Sequence, residues 1–151
     1  MIALACDHTG LELKAYIAGM LDEMHLEWKD YGTYTPESCD YPVPGARAAR
    51  AVARGECQRG ILICGTGVGI GIAASKIPGI RVCTCSDVYT AELSKRHNDS
   101  NILTMGARVV GPDLARMIAR HWLEAEYEGG RHARRVDLIA RLEKGEVLEG
   151  E

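Results

Sequence analysis

One stretch indicates the fold of this chain most clearly: Gly60-Ile61-Leu62-Ile63-Cys64-Gly65-Thr66-Gly67-Val68-Gly69-Ile70-Gly71. It begins with an apolar run of the length and character of a strand that is buried on both faces. Residues 65–71 then form a glycine loop that opens a helix running to about Lys76. A strand that passes through a short loop into a helix is the first half of a βαβ unit, whose strands pair in parallel.

The same alternation of apolar runs and amphipathic segments extends along nearly the whole chain. It predicts strands over residues 2–6, 26–31, 60–64, 80–85 and 101–105. It predicts helices over about 11–21, 44–54, 71–76, 87–97, 112–127 and 134–144. Right-handed crossovers place helices on both faces of such a sheet, so the predicted class is α/β: a three-layer α/β/α sandwich around a parallel sheet of about five strands. We expect residues 1–151 to form a single domain, with 145–151 as a frayed tail.

Composition and charge exclude several classes of protein. The chain has 151 residues and a net charge of -3, so it lacks the overall excess of positive charge that is typical of nucleic-acid-binding proteins. No apolar run approaches the roughly 20 residues that span a membrane. The amino-terminal residues lack the basic region of a secretory leader, so we expect a cytoplasmic protein that binds neither membranes nor nucleic acid.

The six cysteines contain no C-x-x-C pair. We expect free thiols in a reducing compartment, most of them serving as small buried apolar residues. These are Cys6, Cys39, Cys57, Cys64, Cys83 and Cys85. Cys83 and Cys85 would face the same side of a strand and could form one edge of a metal site, but no second Cys or His pair stands at zinc spacing.

Ligands of parallel α/β sheets bind where the strands end at their carboxyl edge. The glycine loop lies at that edge and leads into a helix, whose first N–H groups favour an anion. It is not a dinucleotide fingerprint, because Ile70 and Ile72 occupy the positions where the third glycine would be needed. It is not a Walker A loop either, so it predicts an oxyanion or phosphate cradle of another kind.

Two readings stay open for each polar group near this edge. Cys64 is either a buried small apolar residue or a thiolate that acts as nucleophile or base. Thr66 either caps the helix or turns its hydroxyl to the same centre. The pair Asp7 and His8 either caps the next helix or supplies a carboxylate and an imidazole to the site.

Two further groups of residues are candidates for binding or proton transfer. His97 and Asn98 close the fourth predicted helix, where a histidine is also electrostatically favourable without any function. Arg131 and Arg135 are four residues apart, so on a helix they share a face and could hold a phosphate together. Their charge would oppose the dipole of a helix start unless an anion is bound there. Arg108 is a third basic candidate.

Together these motifs resemble type B ribose-5-phosphate isomerases, a family that also includes galactose-6-phosphate and allose-6-phosphate isomerases. The resemblance extends to about Glu143 and rests on motifs that occur in the family's order. They are Asp7-His8, Asp40-Tyr41-Pro42, Cys64-Gly65-Thr66-Gly67-Val68-Gly69, His97-Asn98-Asp99, Gly106-Ala107-Arg108-Val109-Val110-Gly111 and Tyr127-Glu128-Gly129-Gly130-Arg131-His132. The resemblance implies a Rossmann-like sheet, a sugar phosphate as ligand, no metal or other cofactor, and a dimer or tetramer whose active site is shared between subunits.

The resemblance also implies a role for each site residue. Cys64 would move a proton between C2 and C1 through a cis-enediolate with help from Thr66, and His97 would open the furanose ring. The backbone of Gly65, Thr66, Gly67, Val68 and Gly69 would stabilise the enediolate oxygen. The phosphate would be held by His8, Arg108, Arg131 and Arg135, and the sugar by Asp7, Tyr41 and Asn98. One branch of the family uses a glutamate near the position of Ile70 in place of the cysteine, so this chain falls in the cysteine branch.

Three other functions stay open at this stage. A hexose 6-phosphate isomerase of the allose or galactose type would use the same chemistry. A non-catalytic domain that binds a sugar phosphate or nucleotide would need neither Cys64 nor His97. A thiol redox protein is disfavoured because no cysteine lies within three residues of Cys64.

Overall fold

The computed structural model describes all residues from 1 to 151 and contains five strands and six helices. The strands are β1 (Ile2–Cys6), β2 (Trp28–Asp30), β3 (Arg59–Cys64), β4 (Val82–Thr84) and β5 (Ile102–Gly106). The helices are α1 (Leu11–Glu23), α2 (Pro42–Ala53), α3 (Val68–Ser75), α4 (Val88–Asn98), α5 (Pro112–Glu124) and α6 (Arg131–Glu143). The predicted α/β class and five-stranded sheet are confirmed.

All strand pairs are parallel, and the order across the sheet is β2-β1-β3-β5-β4. Leu62 of the central strand β3 is paired with Ala5 of β1 on one side and with Thr104 of β5 on the other. The chain moves outward from β1 to β2 and then returns to β3 on the other side of β1. The loops after β1 and β3 therefore flank a topological switch point, where ligands of such sheets bind.

Two apolar layers cover the faces of the sheet. Side chains alternate along each strand, so Leu4 and Ile61 pack with α1 and α5, whereas Ala5 and Leu62 pack with α2 and α3. Trp122 of α5 is fully buried in the first layer, and its indole N–H donates to Ser100 Oγ over 2.8 Å. No helix combines the length and the apolar character needed to cross a membrane.

Several element boundaries differ from those predicted. β2 and β4 are three residues each instead of six, because both are edge strands that pair on one side only. α5 ends at Glu124 and not near Tyr127, because Ala125 is extended. α2 begins at Pro42, since proline suits the first helical turn. α6 begins at Arg131 and not at Arg134, because the two preceding glycines turn the chain with positive φ.

Candidate active site

Cys64 is the last residue of β3 and lies at the centre of the carboxyl edge of the sheet. It is level with Gly106 on β5, and its side chain is almost completely buried against α2 and α3. The backbone N–H of Gly67 donates to its Sγ over 3.2 Å. An amide aimed at the sulfur stabilises negative charge that develops there during proton transfer.

The backbone after Cys64 forms a cradle of free amides. Gly67 has φ of 78°, and a Cβ there would lie 2.7 Å from the carbonyl carbon of Met105, so only glycine fits. Its N–H is directed at Cys64, whereas the N–H groups of Gly65, Thr66 and Gly69 have no acceptor within the chain. These three amides are available to an oxygen anion of a ligand.

Two of the four glycines in residues 65–71 are required because a neighbouring side chain leaves no room for a Cβ, and not because of an unusual backbone conformation. Gly69 and Gly71 are helical residues of α3 and do not have positive φ, although glycines in such a loop are expected to adopt it. A Cβ on Gly69 would lie 2.7 Å from Cζ of Tyr41, and one on Gly71 would lie 2.9 Å from Oγ1 of Thr84. Absence of a side chain at Gly69 thus lets the Tyr41 ring lie over the start of α3.

The loop after β1 brings polar groups to the same edge. Asp7 is buried, and its Oδ1 accepts bonds from the N–H and the hydroxyl of Thr9, at 2.9 and 2.6 Å. Both bonds use one oxygen, so Oδ2 remains available to a ligand. The N–H of Cys39 donates to Nδ1 of His8 over 3.2 Å, which places the proton of the neutral imidazole on Nε2. His8 is therefore oriented as a hydrogen-bond donor.

Arg108 completes this group from the turn that follows β5. A Cβ built on Gly65 would lie 3.7 Å from Arg108 Nη1 and 3.7 Å from Thr9 Oγ1. The N–H of Arg108 also donates to the carbonyl of Gly65 over 3.0 Å. A guanidinium is thus fixed beside the free amide of Gly65, where it would attract a phosphate or other anion.

Thr66 does not cap α3, because Gly67 occupies the cap position and no side chain caps the helix. Its hydroxyl accepts the N–H of Val68 over 3.3 Å. The hydroxyl still lies on the loop between Cys64 and the free amides. The reading of Thr66 as a helix cap is therefore wrong, and the reading of its hydroxyl as a group of the site remains a prediction.

The remaining predicted site residues form a second group at the start of α6 and the end of α4. The rings of His97 and His132 are stacked, with centroids 4.2 Å apart and planes inclined by 7°. Arg131 is the first residue of α6 and Arg135 lies one turn further on, so both project positive charge from a helix start. Asn98 is the last residue of α4.

Glu128 joins the two histidines to an arginine. Its Oε2 is 3.9 Å from His97 Nε2 and 3.6 Å from His132 Nε2, and Oε1 is 2.6 Å from Arg96 Nη2. The hydrogen bond from Arg96 lowers the pKa of Glu128 below its ordinary value. Burial, together with the neighbouring charges of His97 and Arg131, lowers the pKa of His132. His132 is thus kept neutral, and its buried Nε2 has no hydrogen-bond partner.

The ligand atoms of His97, Glu128 and His132 lie within 4.8 Å of one another, a donor set that could hold a transition metal. Arg96 already neutralises the carboxylate, and Arg131 adds a further fixed charge. That balance favours an anion at this group more than a cation. The arrangement suits phosphate binding and proton transfer.

The two groups lie at opposite ends of the strands: the Cys64 group lies at the carboxyl ends, and the His97 group lies beyond the amino end of β5. Cys64 is level with Gly106 at the carboxyl end of β5, whereas His97 precedes β5 and lies beyond its amino end. From Ile102 to Gly106 a parallel strand rises about 13 Å. His97, Asn98, Arg131 and Arg135 therefore do not reach Cys64 within one chain.

Three neighbours of the predicted site residues were not singled out from the sequence. Thr9 hydrogen-bonds Asp7, while Glu128 and His132 contact His97. Glu128 lies in a segment without helix or strand, so no periodicity points to it. Glu128 and His132 both belong to the family motif of residues 127–132, in which only Arg131 is assigned a role from the sequence.

Comparisons with known proteins agree on one family. The family model described as "Ribose/Galactose Isomerase" matches residues 2–139. Ribose-5-phosphate isomerase B of Escherichia coli K12 is 53% identical over 143 residues, which cover 95% of this chain and 96% of that protein. The structure of Clostridium thermocellum ribose-5-phosphate isomerase B superimposes with a TM-score of 0.94 at 53% identity, covering 95% of this chain and 97% of that one. The Mycoplasma genitalium enzyme, solved with bound ribulose-5-phosphate, gives 0.91 at 38% identity and covers 96% and 97% of the two chains.

Proposed function

The chain belongs to the ribose/galactose isomerase family, and from this premise we propose that it interconverts ribose 5-phosphate and ribulose 5-phosphate. It is an aldose–ketose isomerase. The observation that carries this activity is the thiol of Cys64, which accepts the N–H of Gly67 at a loop with three free backbone amides, on the strand next to the one that Asp7 follows. A base, an oxyanion cradle and polar contacts for the sugar are what proton transfer next to a carbonyl requires.

The chemical step transfers one proton between adjacent carbons. The Cys64 thiolate removes the proton from C2 of the open-chain aldose, and the electrons move to the C1 carbonyl to form a cis-enediolate. The amides of Gly65, Thr66 and Gly69 stabilise the oxygen that gains charge, an interaction worth about 3 kcal/mol for each donor in comparable sites. Cys64 then returns the proton to C1. The Thr66 hydroxyl assists the accompanying proton movement between the two oxygens, and the product is the ketose.

Ring opening and part of the phosphate binding fall to the second group of residues. We assign to His97 the transfer of a proton to the ring oxygen of the furanose, and to Arg131 and Arg135 the phosphate together with His8 and Arg108. Asp7, Tyr41 and Asn98 would contact the sugar hydroxyls. The amides of Gly67 and Val68 act indirectly, because Gly67 supports Cys64 and Val68 binds the Thr66 hydroxyl.

This assignment requires a second copy of the chain, because the two groups lie at opposite ends of the strands. The surface around Cys64 supports such an assembly. Val43, Val68 and Ile72 are 50%, 49% and 57% exposed on α2 and α3. Exposed apolar side chains grouped beside a site are typical of a surface that another subunit covers. We propose a homodimer, alone or within a tetramer, in which His97 and Arg131 of one copy meet Cys64 of the other.

We also propose a cytoplasmic location. All six cysteines are free thiols, including the partly exposed Cys39 and Cys83. Thiols persist in a reducing compartment, and the thiolate chemistry assigned to Cys64 depends on one.

The choice of substrate is tested by measuring kcat/KM for ribose 5-phosphate, allose 6-phosphate and galactose 6-phosphate side by side. We expect ribose 5-phosphate to be preferred. Higher kcat/KM for either hexose phosphate would assign the chain to the hexose branch of the family. Binding of these sugars without turnover would instead indicate a non-catalytic domain.

Replacing Arg131 or Arg135 with alanine is expected to raise KM for ribose 5-phosphate at least about tenfold, since each removes a charge-assisted bond to the phosphate worth about 1.5–3 kcal/mol. The matched control is Arg141→Ala, which removes a charge from the same helix about 15 Å beyond Arg131 and about 9 Å beyond Arg135. Steady-state kinetics checks the expectation. Unchanged KM in both variants would remove these arginines from the phosphate site.

A further inference from the structure

Cys83 and Cys85 form a close pair of thiols that the isomerase reaction does not use. Cys83 is the middle residue of β4 and Cys85 follows the strand's last residue. Residues two apart on a strand project to the same face, and the two Sγ atoms are 2.8 Å apart. The two sulfurs are thus within contact distance of each other without any rearrangement of the fold.

The pair is separated from Cys64 by the sheet itself. Cys85 packs in the layer with α1 and α5, whereas Cys64 packs in the layer with α2 and α3. β4 is also two strands away from β3, a spacing of about 10 Å. Neither thiol of the pair can therefore form a disulfide with Cys64 in the folded chain.

The two thiols differ in accessibility. Cys83 is partly exposed and lines a cavity of about 360 Å³ whose other walls include Val82, Ser94 and Ile139. Cys85 is only 3% exposed and does not line that cavity. A small reagent can thus reach Cys83 from solvent but cannot reach Cys85 directly.

The electrostatics give the two thiols different reactivity. Hydrogen bonding from Cys85, aided by Ser94, lowers the pKa of Cys83 to about 7, against the opposing effect of burial. The same contact and burial raise the pKa of Cys85 above its ordinary value. A thiol with a pKa near neutrality is an efficient attacking nucleophile in disulfide exchange.

We propose that Cys83 and Cys85 are a dithiol modification site that reacts with small-molecule disulfides, with Cys83 attacking and Cys85 resolving. The Cys83 thiolate attacks one sulfur of the disulfide, forms a mixed disulfide and releases one thiolate. Cys85 then loses its proton to solvent and attacks Cys83 Sγ, which releases the second thiolate. The two protein thiols are oxidised to one intrachain disulfide, and the reagent is reduced to two thiols.

The experiment uses the native, fully reduced protein and 2-hydroxyethyl disulfide. After a timed reaction, the remaining thiols are alkylated and the protein is digested with trypsin. The mass of the peptide of residues 82–95 is then measured by mass spectrometry, because this peptide contains the pair and no other cysteine. We expect a peptide that is lighter than the reduced one by two hydrogen atoms and carries no alkyl group. A reductant should restore the two alkylation sites.

Single substitutions separate the two roles. Cys85→Ser is expected to trap the mixed disulfide on Cys83, and Cys83→Ser is expected to leave Cys85 at least about tenfold less reactive than Cys83. Both variants should keep wild-type isomerase turnover, which reports that they are folded. Alanine variants replace either serine variant that fails this criterion.

Two results would overturn the proposal. One is a fully alkylated 82–95 peptide under conditions that oxidise the same pair in the unfolded chain. The other is equal reactivity of Cys83 and Cys85 in the two single variants, because the proposed roles of attacking and resolving thiol depend on the different accessibility of the two residues.

Discussion

Cys64→Ala is expected to lower kcat for ribose 5-phosphate by about a thousandfold, with little change in KM. The size follows from the loss of a positioned general base, which typically contributes a factor of about 10² to 10⁴. KM should hold because the proposed phosphate contacts come from arginine and histidine side chains elsewhere in the site. The measurement is steady-state turnover in a coupled assay.

The matched control is Cys57→Ala. Cys57 is also buried in the layer with α2 and α3, but it precedes β3 and its Sγ lies 3.7 Å from the Tyr31 hydroxyl. Loss of activity in Cys64→Ala alone would locate the effect at the base. If Cys64→Ala turned over as fast as the wild type, another group would have to move the proton between C2 and C1.

His97→Ala is expected to lower kcat from the furanose form of ribose 5-phosphate by about a hundredfold, at the lower end of the range for acid–base catalysis. Ribulose 5-phosphate has no ring to open, because its C5 oxygen carries the phosphate. Exchange of its C1 hydrogens with deuterated water should therefore persist in His97→Ala and be abolished in Cys64→Ala.

His121→Ala serves as the control for His97. His121 is an exposed residue of α5 that pairs with Glu92 and is linked to the His97 group only through Glu92 and Arg96. We expect it to leave both turnover and exchange unchanged. Loss of deuterium exchange in His97→Ala would mean that His97 acts in the enediolate step and not in ring opening.

Much of the fold could be predicted because local patterns and pairing agree. The buried run before Cys64 is apolar throughout, as a central parallel strand requires, and it occupies the centre of the sheet. The strands predicted at the two edges of the sheet are too long, because the apolar pattern of the sequence continues past the residues that pair with a neighbouring strand. Leu26 and Ile80 continue the apolar pattern but lie outside β2 and β4.

The start of α6 shows a different limit of sequence reasoning. Arg131 follows two glycines, and helix propensity alone places the beginning of the helix later. The positive φ of Gly129 and Gly130 turns the chain directly into the helix, so that Arg131 occupies its first position. The placement strengthens the phosphate assignment, because the first turn of a helix favours a bound anion.

The sequence indicates individual candidate residues of the site but not their contacts with one another. Strand ends identify Asp7, His8 and Cys64, because the carboxyl edge of a parallel sheet collects them. The contact of Glu128 with His97 depends on the path of an irregular segment, which no local pattern encodes. The packing of Tyr41 on Gly69 likewise joins residues from two distant segments.

The most direct test of the proposed shared site is mixing of two inactive variants. Cys64→Ala and His97→Ala chains are refolded together in equal amounts and assayed on ribose 5-phosphate. If the site combines Cys64 of one copy with His97 of the other, half of the dimers are mixed and each holds one intact site, so about a quarter of wild-type activity returns. Mixing Cys64→Ala with a chain that carries both substitutions is the control and should restore none. Activity no higher than the sum of the two separate variants would contradict the shared site.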